Sequence, residues 1–161
     1  MFTIENVSAH AVDYQQVTQA VADIEAIVQP QDAWTYQTLI SLLEQDSVKM
    51  LVAYDKQQEI DPKVMGYCLY QVMFEQAEIL RIGTHPDYQR QGIASQLFDR
   101  LNSDLVQSQV ESLLLEVRAD NVPAIALYEQ QQFAVIHKRT GYYQRTNKPA
   151  IDALIMQRVY T

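Results

Sequence analysis

From Ile79 to Ser95 an apolar strand runs through a proline turn, His85-Pro86-Asp87, into a glycine at the mouth of a helix. That order of parts makes an anion cradle. The first turn of a helix has backbone N–H groups without intrahelical partners, and the helix dipole adds partial positive charge there. A phosphate set against Gln91 to Ser95 would satisfy both. Gly92, lacking a Cβ, allows close approach to the backbone. The run is neither a dinucleotide fingerprint nor a P-loop: Gly83 and Gly92 do not fit G-x-G-x-x-G, and no G-K-[S/T] follows. The competing reading of the same residues is a plain strand-to-helix connection.

The elements that must position this turn follow from periodicity. A short strand is expected around Thr3 to Val7, then a helix carrying Tyr14, Val17, Val21, Ile24 and Val28 at spacings of three and four. Pro30 and Asp32 break it. A second helix places Tyr36, Leu39, Ile40 and Leu43 on one face, with Trp34 near its start. Val48, Met50, Val52 and Tyr54 alternate, as do Met65, Tyr67, Leu69 and Gln71, across a polar gap from Asp55 to Pro62, which predicts a hairpin with a long loop. A third strand, Glu78 to Thr84, completes an antiparallel meander. Ile93, Ala94, Leu97, Phe98, Leu101 and Leu105 then mark a helix covering one sheet face. The near-continuous apolar start of Ser112 to Arg118 suits a buried parallel strand. Asn121 is a plausible cap, with Pro123 in the first turn, for a helix over Ala124 to Gln131. A strand from near Phe133, a turn-rich Gly141 to Pro149 and a final strand, Ala153 to Val159, complete a single α+β (mixed α/β) domain over residues 1–161.

Composition narrows the partners. A 161-residue chain with 48% hydrophobic and 20% charged residues can bury a substantial core. Its formal charge of −8 argues against nucleic-acid binding, which relies on many Lys and Arg contacts to phosphates. No apolar run reaches the ~20 residues needed to span a bilayer, and the N-terminus lacks the pattern of a secretion signal, so a cytoplasmic protein with no membrane partner is expected. The single cysteine, Cys68, excludes a disulfide framework within the chain, and His10, His85 and His137 are too scattered for a metal motif.

The run Gln89-Arg90-Gln91-Gly92-Ile93-Ala94 resembles the Gln/Arg-x-x-Gly-x-Gly/Ala signature of the GNAT acetyltransferases, in the family's place after a meander strand and before a helix. Leu115-Glu116-Val117-Arg118-Ala119-Asp120-Asn121-Val122-Pro123-Ala124-Ile125-Ala126-Leu127-Tyr128-Glu129 resembles the strand-and-helix block of the RimI-type enzymes, which acetylate the N-terminal alanine of a ribosomal protein. So do Tyr142-Tyr143 and Asp152-Ala153-Leu154-Ile155-Met156. The similarity is dense from Glu78 to Met156. It implies a GNAT-like fold: a central, mixed, mostly antiparallel sheet with two splayed parallel strands and helices on both faces. It implies acetyl-CoA as donor and no metal. Ile82, Gly83 and Thr84 would line the pantetheine arm, Arg90, Gln91, Gly92, Ile93, Ala94 and Ser95 would hold the pyrophosphate, and Asn121 would contact the cofactor.

By the same resemblance Glu116 is the general base and Tyr128 the general acid. The physical chemistry agrees, because an α-amino group has a pKa of ~7.7 to 8.0 against ~10.4 for lysine, and a tyrosine near ~10 keeps its proton at neutral pH to hand to a thiolate. The competing readings are a Glu116 paired with Arg118 or Lys138 on the sheet face and a Tyr128 that only packs. Cys68 raises a covalent acetyl-enzyme route, but its alternating apolar surroundings read as a buried structural thiol.

Four departures from the family pattern stand out. Ala94 takes the signature's bulkier option. Gln132 occupies the place where relatives have a glycine before Phe133, and so requires a different or strained turn. Gln144 replaces a proline, and Ala150-Ile151-Asp152 lacks the extra acidic residue that relatives often carry before this Asp, both where an acceptor peptide would enter. The resulting expectation is direct acetyl transfer, in a ternary complex, to the N-terminal amine of an alanine-starting ribosomal protein. The alternatives are transfer to a free small amine and a non-catalytic acetyl-CoA-binding module.

Overall fold

Alternating apolar residues build seven strands, and helical stripes build four helices that cover both faces of the sheet. The computed structural model describes residues 2–8, 13–55 and 63–161; His10 and the expected loop beyond Asp55 lie outside the described residues. In chain order the elements are β1 (Phe2–Asn6), α1 (Tyr14–Val28), α2 (Tyr36–Leu43), β2 (Val48–Asp55), β3 (Lys63–Met73), β4 (Gln76–Thr84), α3 (Ile93–Gln107), β5 (Ser112–Arg118), α4 (Val122–Gln130), β6 (Ala134–Arg145) and β7 (Lys148–Val159). The sheet order is β1-β2-β3-β4-β5-β7-β6, antiparallel throughout except where β4 meets β5. The mixed, mostly antiparallel sheet implied by the sequence is therefore present. Among the described residues no helix is long and apolar enough to cross a membrane.

Two cores sandwich the sheet. On one face Val17, Val21 and Ile24 of α1 and Leu39 and Leu43 of α2 pack on Met50, Val52, Tyr67 and Leu69. On the other, Ile93, Leu97, Phe98, Leu101 and Leu105 of α3 and Tyr128 of α4 pack on Leu51, Cys68, Ile79, Leu115 and Val117. Alternation along each strand sends successive side chains to opposite cores, so the central strands are buried on both sides.

The feature that shapes the site is a bulge in β4. Tyr70 of β3 lies opposite Ile79 and Leu69 opposite Arg81, so Leu80 is an extra residue on β4. A bulge bends its strand and strengthens the local twist. Just beyond Glu78, β4 parts from β5: the parallel pairing holds for Gln76, Ala77 and Glu78 against Ser112, Leu113 and Leu114 and then stops. From Ile79 to Thr84 β4 pairs only with β3, while β5 continues along β7 to Arg118.

One boundary differs from the sequence reading. The stretch from Gly141 to Pro149, expected as irregular turns, continues β6 to Arg145 and starts β7 at Lys148. Turn-forming residues are accommodated by a bulge instead. Arg139 pairs with Ala153 and Tyr143 with Ile151, leaving three β6 residues opposite Asp152. Gly141 sits there at φ 62°, and its N–H donates to Asp152 Oδ1 at 2.8 Å.

Gly83 is held by contact rather than by backbone conformation. A Cβ there would lie 2.6 Å from the Tyr67 hydroxyl, beneath the unpaired stretch of β4. Gly83→Ala must push either the strand or the buried tyrosine, and overpacking of this kind costs about 1–3 kcal/mol. A lowered urea midpoint with an unchanged m-value is the expected outcome.

Candidate functional site

The splay leaves a cleft of about 650 Å³ between β4 and β5. It is lined by β4 from Ile79 to Thr84, the turn and first residues of α3, β5 from Leu115 to Arg118, the start of α4, the end of α1 with the loop after it, and Tyr143 of β6. Of the residues singled out from sequence, Ile82, Gly83, Thr84, Arg90, Gly92, Ile93, Ala94, Ser95, Glu116, Asn121 and Tyr128 all border this cleft. Gln91, in the same turn, is exposed and lies outside its lining.

The floor of the cleft is made of backbone. Because β5 has turned away, the N–H and C=O groups on that side of residues 79–84 have no strand to pair with, an open edge that an extended polar ligand can take up. At its end Gly92 caps α3 at φ 80° without a side-chain hydrogen bond, and the first backbone bond of the helix runs from Gln96 N to Gly92 O. The N–H groups of Ile93, Ala94 and Ser95 thus face out of the helix with no intrahelical partner. Open space lies before Gly92, since a Cβ there would have no atom within 4 Å. Arg90 also takes a left-handed φ of 63°, a conformation costly for a non-glycine residue, which marks the turn as strained. Asn121 caps α4: its Oδ1 accepts from Ala124 N at 3.3 Å.

Glu116 and Tyr128 reach the cleft from opposite faces of the sheet. Leu115 and Val117 face the α3 core, so Glu116 between them points to the α1 side. Its Oε1 accepts from the Tyr143 hydroxyl at 2.7 Å, and Arg139 stands 3.9 Å from Oε2. The partners considered from sequence are taken elsewhere: Arg118 bonds Asp120 at 3.1 Å, and Lys138 pairs with Asp152 at 3.2 Å. On β4, Glu78 senses this carboxylate, its own carboxyl being pushed up first by desolvation and then by Glu116, with Arg139 pulling the other way. Tyr143 is held protonated by desolvation and by its bond to Glu116, and the Arg118 guanidinium lies 5.6 Å from its ring centre. This tyrosine was visible in sequence only as half of a resembling pair; its role beside Glu116 depends on a pairing between distant strands.

Tyr128 comes from the α3 side, edge-on to Phe98 and Phe133 with ring centres 6.1 and 6.0 Å away. Burial pushes its hydroxyl up to about 12. The α4 terminus seats it. Phe133 N donates to Tyr128 O and Gln132 N to Glu129 O, both at 3.0 Å, with Gln132 at φ 70°. That is a Schellman motif completed by an aromatic contact, and the strained turn expected at Gln132 is the result of placing a side chain where glycine is favoured. Cys68 is fully buried and burial lifts its thiol to about 12, the behaviour of a structural thiol.

The chain matches the Acetyltransferase (GNAT) family over residues 14–133. It is 40% identical over 94 residues to the [ribosomal protein bS18]-alanine N-acetyltransferase of Escherichia coli K12, an alignment covering 58% of this chain and 63% of that protein. The chain thus spans under two thirds of that curated relative's length. An N-alpha-acetyltransferase of Saccharolobus solfataricus is 24% identical over 155 residues, covering 88% of this chain and 86% of the other. Among solved structures, the ribosomal-protein-S18-alanine N-acetyltransferase from Escherichia coli superposes with a TM-score of 0.83 at 30% identity, covering 99% of this chain and 94% of that one.

Two outcomes follow from the seating of Tyr128. Gln132→Gly relieves the left-handed strain and is expected to raise unfolding free energy by about 0.5–1 kcal/mol in urea titrations. Because the folded hydroxyl of Tyr128 titrates above its ordinary value of 10.0, its contribution to stability is full below pH 10 and is lost as the pH rises through about 12. Over that window the stability curve of Tyr128→Phe should fall less steeply than wild type, by up to ~1.4 kcal/mol per pH unit.

Proposed function

The chain belongs to the acetyltransferase (GNAT) family, and from that premise we propose that it transfers an acetyl group from acetyl-CoA to the N-terminal α-amino group of a protein beginning with alanine. One observation carries this reading: an unpaired strand edge leads to an uncapped helix N-terminus, with a carboxylate and a protonated tyrosine flanking it from opposite faces. A binding module has no need of the last two.

The donor half fits the backbone present. Residues 82–84 offer peptide groups to the amides of an extended pantetheine arm, as a third strand would. The N–H groups of Ile93, Ala94 and Ser95, the open approach at Gly92 and the Arg90 side chain suit a pyrophosphate. Asn121 lines the same end of the cleft. Acetyl-CoA supplies the thioester carbon that the amine attacks.

Glu116 takes the proton of the incoming ammonium, directly or through one water, so that the neutral amine can attack. At neutral pH an α-amino group is neutral roughly 250–500 times more often than a lysine side chain, which makes an N-terminus the acceptor that asks least of this base. With the Tyr143 hydroxyl bonded to Oε1, the amine meets Oε2, which it shares with Arg139 at 3.9 Å. As the C–S bond breaks, negative charge grows on sulfur and Tyr128 donates its proton there, while the nitrogen, cationic once bonded to the acetyl carbon, gives up its second proton to the resulting phenolate or to solvent, leaving a neutral amide and thiol. Burial lifts Tyr128 to about 12 and penalises a thiolate in the same surroundings, so donor and acceptor stay matched. The buried, protonated Cys68 has no part in this route, which is direct transfer in a ternary complex.

Thiol release from acetyl-CoA with an alanine-starting ribosomal peptide, the same peptide blocked at its N-terminus, the same peptide blocked at its lysines, and a set of free amines tests the acceptor. Turnover that survives lysine blocking and disappears with N-terminal blocking is expected; turnover of free amines alone would replace the protein acceptor by a small one. In the same assay Tyr128→Phe should lower kcat by about 10²-fold with acetyl-CoA affinity within about twofold. Equal losses in both would remove Tyr128 from the acid role.

A further inference from the structure

The bulge at Leu80 does more than open the cleft. It resets the alternation of β4, so that Leu80 and Arg81 are consecutive residues on the α1 side, while Ile79 and Ile82 both join the opposite core. Arg81 is thereby turned toward α1 and the loop that follows it, with a side chain only 13% exposed. There it meets five groups, one of them the Asp32 carboxylate, whose Oδ2 lies 3.5 Å from Nη1. Its Nη1 donates to Gln29 Oε1 at 2.8 Å, and its Nη2 to the Asp32 backbone oxygen at 3.0 Å. Its guanidinium lies 4.4 Å from the Trp34 ring centre, and its Nε is 3.5 Å from Glu25 Oε1.

Glu25 is the other half of the device. It is fully buried, accepts from the Tyr67 hydroxyl, from Trp34 N at 3.2 Å and from Gln29 Nε2 at 3.3 Å. Tyr67 in turn supports β4 from below at Gly83. The loop from Gln29 to Trp34 has no regular structure of its own and is fastened from one side by Arg81 and from the other by Glu25. Val28, Gln29, Gln31 and Asp32 line the cleft, and the Asp32 charge is felt by Arg118 and Tyr143 on its far side. This loop is therefore the lip facing Glu116 and Tyr143, on the side opposite the α3 turn.

We propose that Arg81 is a positioning residue, clamping the loop from Gln29 to Trp34 to the donor strand so that the acceptor amine is presented to Glu116 in register with the thioester. The inference rests on the acetyl-transfer reading above. Charge alone does not account for the arrangement, because the planar fork addresses a side-chain amide, a backbone carbonyl and an aromatic face at once. A compact ammonium can answer a carboxylate, Glu25 or Asp32, but cannot also span the side-chain amide, the backbone carbonyl and the aromatic face. The clamp links two halves of one reaction whose geometry tolerates little drift: misplacing a reactant by about 1 Å costs up to ~10²-fold in rate.

Arg81→Lys is the informative variant, since it keeps a cation beside buried Glu25 and so keeps the fold, while giving up the loop contacts. Trp34→Leu, with Arg81 and Glu25 intact, loosens the same loop from its other end. In both, the KM for the acceptor peptide should rise about tenfold or more while the acetyl-CoA Kd stays within about twofold. Hydrogen exchange of the Trp34 amide, protected by Glu25 in wild type, should quicken without change in β4. A merely structural role for the charge predicts full rescue by lysine. Wild-type turnover with an unchanged acceptor KM in Arg81→Lys overturns the clamp and leaves the acetyl-transfer reading standing. Wild type that binds acetyl-CoA and turns over no amine overturns both.

Discussion

The structure turns on one extra residue in β4. Without Leu80 the parallel pairing of β4 and β5 would run on past Glu78, the strand edge would be satisfied and the cleft would be an ordinary piece of sheet. With it, the strand bends, the backbone from Ile79 to Thr84 is left to find another partner, and the open edge leads straight to the unpaired N–H groups of α3. Backbone groups on such an edge must find partners in water or in a ligand, and an extended chain bearing amides can supply them. The cleft is in this sense a sheet left unfinished.

The gap also solves a problem of access. In the proposed transfer a base and an acid on the same face would compete for one approach; Glu116 stands on the α1 face and Tyr128 on the α3 face, and both border the break between strands. Their surroundings differ accordingly. Glu116 is held by polar neighbours, Tyr143 and Arg139, at a partly open surface. Tyr128 is held by aromatic edges and a helix cap in a core that excludes water. Around Glu116 the neighbours are a hydroxyl donor and a cation 3.9 Å away, while around Tyr128 desolvation favours the neutral hydroxyl. In the proposed transfer the two residues therefore stand on opposite sides of the gap.

Much of this was legible in sequence because it rests on local rules. Helical spacing marked α1 to α3, alternation marked the meander, Gly92 marked the mouth of α3, and Asn121 and Pro123 marked the start of α4. Gln132 was legible even as a fault, since only a Schellman geometry before Phe133 makes its side chain costly. What escaped depends on pairing between distant segments. The Leu80 bulge leaves no mark in the sequence around it, Glu78-Ile79-Leu80-Arg81-Ile82, and neither does the side on which Arg81 emerges. The extension of β6 to Arg145 was hidden by residues that favour turns, because Asp152 of the facing strand satisfies the Gly141 N–H and lets a bulge replace the turn. Tyr143 could be noticed but not assigned, since its bond to Glu116 crosses from β6 to β5 over β7.

Those omissions fall on one side of the cleft for a physical reason. The donor half consists of backbone groups, and backbone geometry is written locally in glycines, caps and strand ends. The acceptor half consists of side chains gathered from α1, the loop after it, β4, β5 and β6, whose meeting is a property of the whole sheet. Two proteins can therefore share every local signal of the donor half and still differ in the acceptor. The Glu25–Arg81–Trp34 cluster joins the two, because the loop it fastens lines the Glu116 side of the cleft while Arg81 belongs to the strand whose free edge forms the floor.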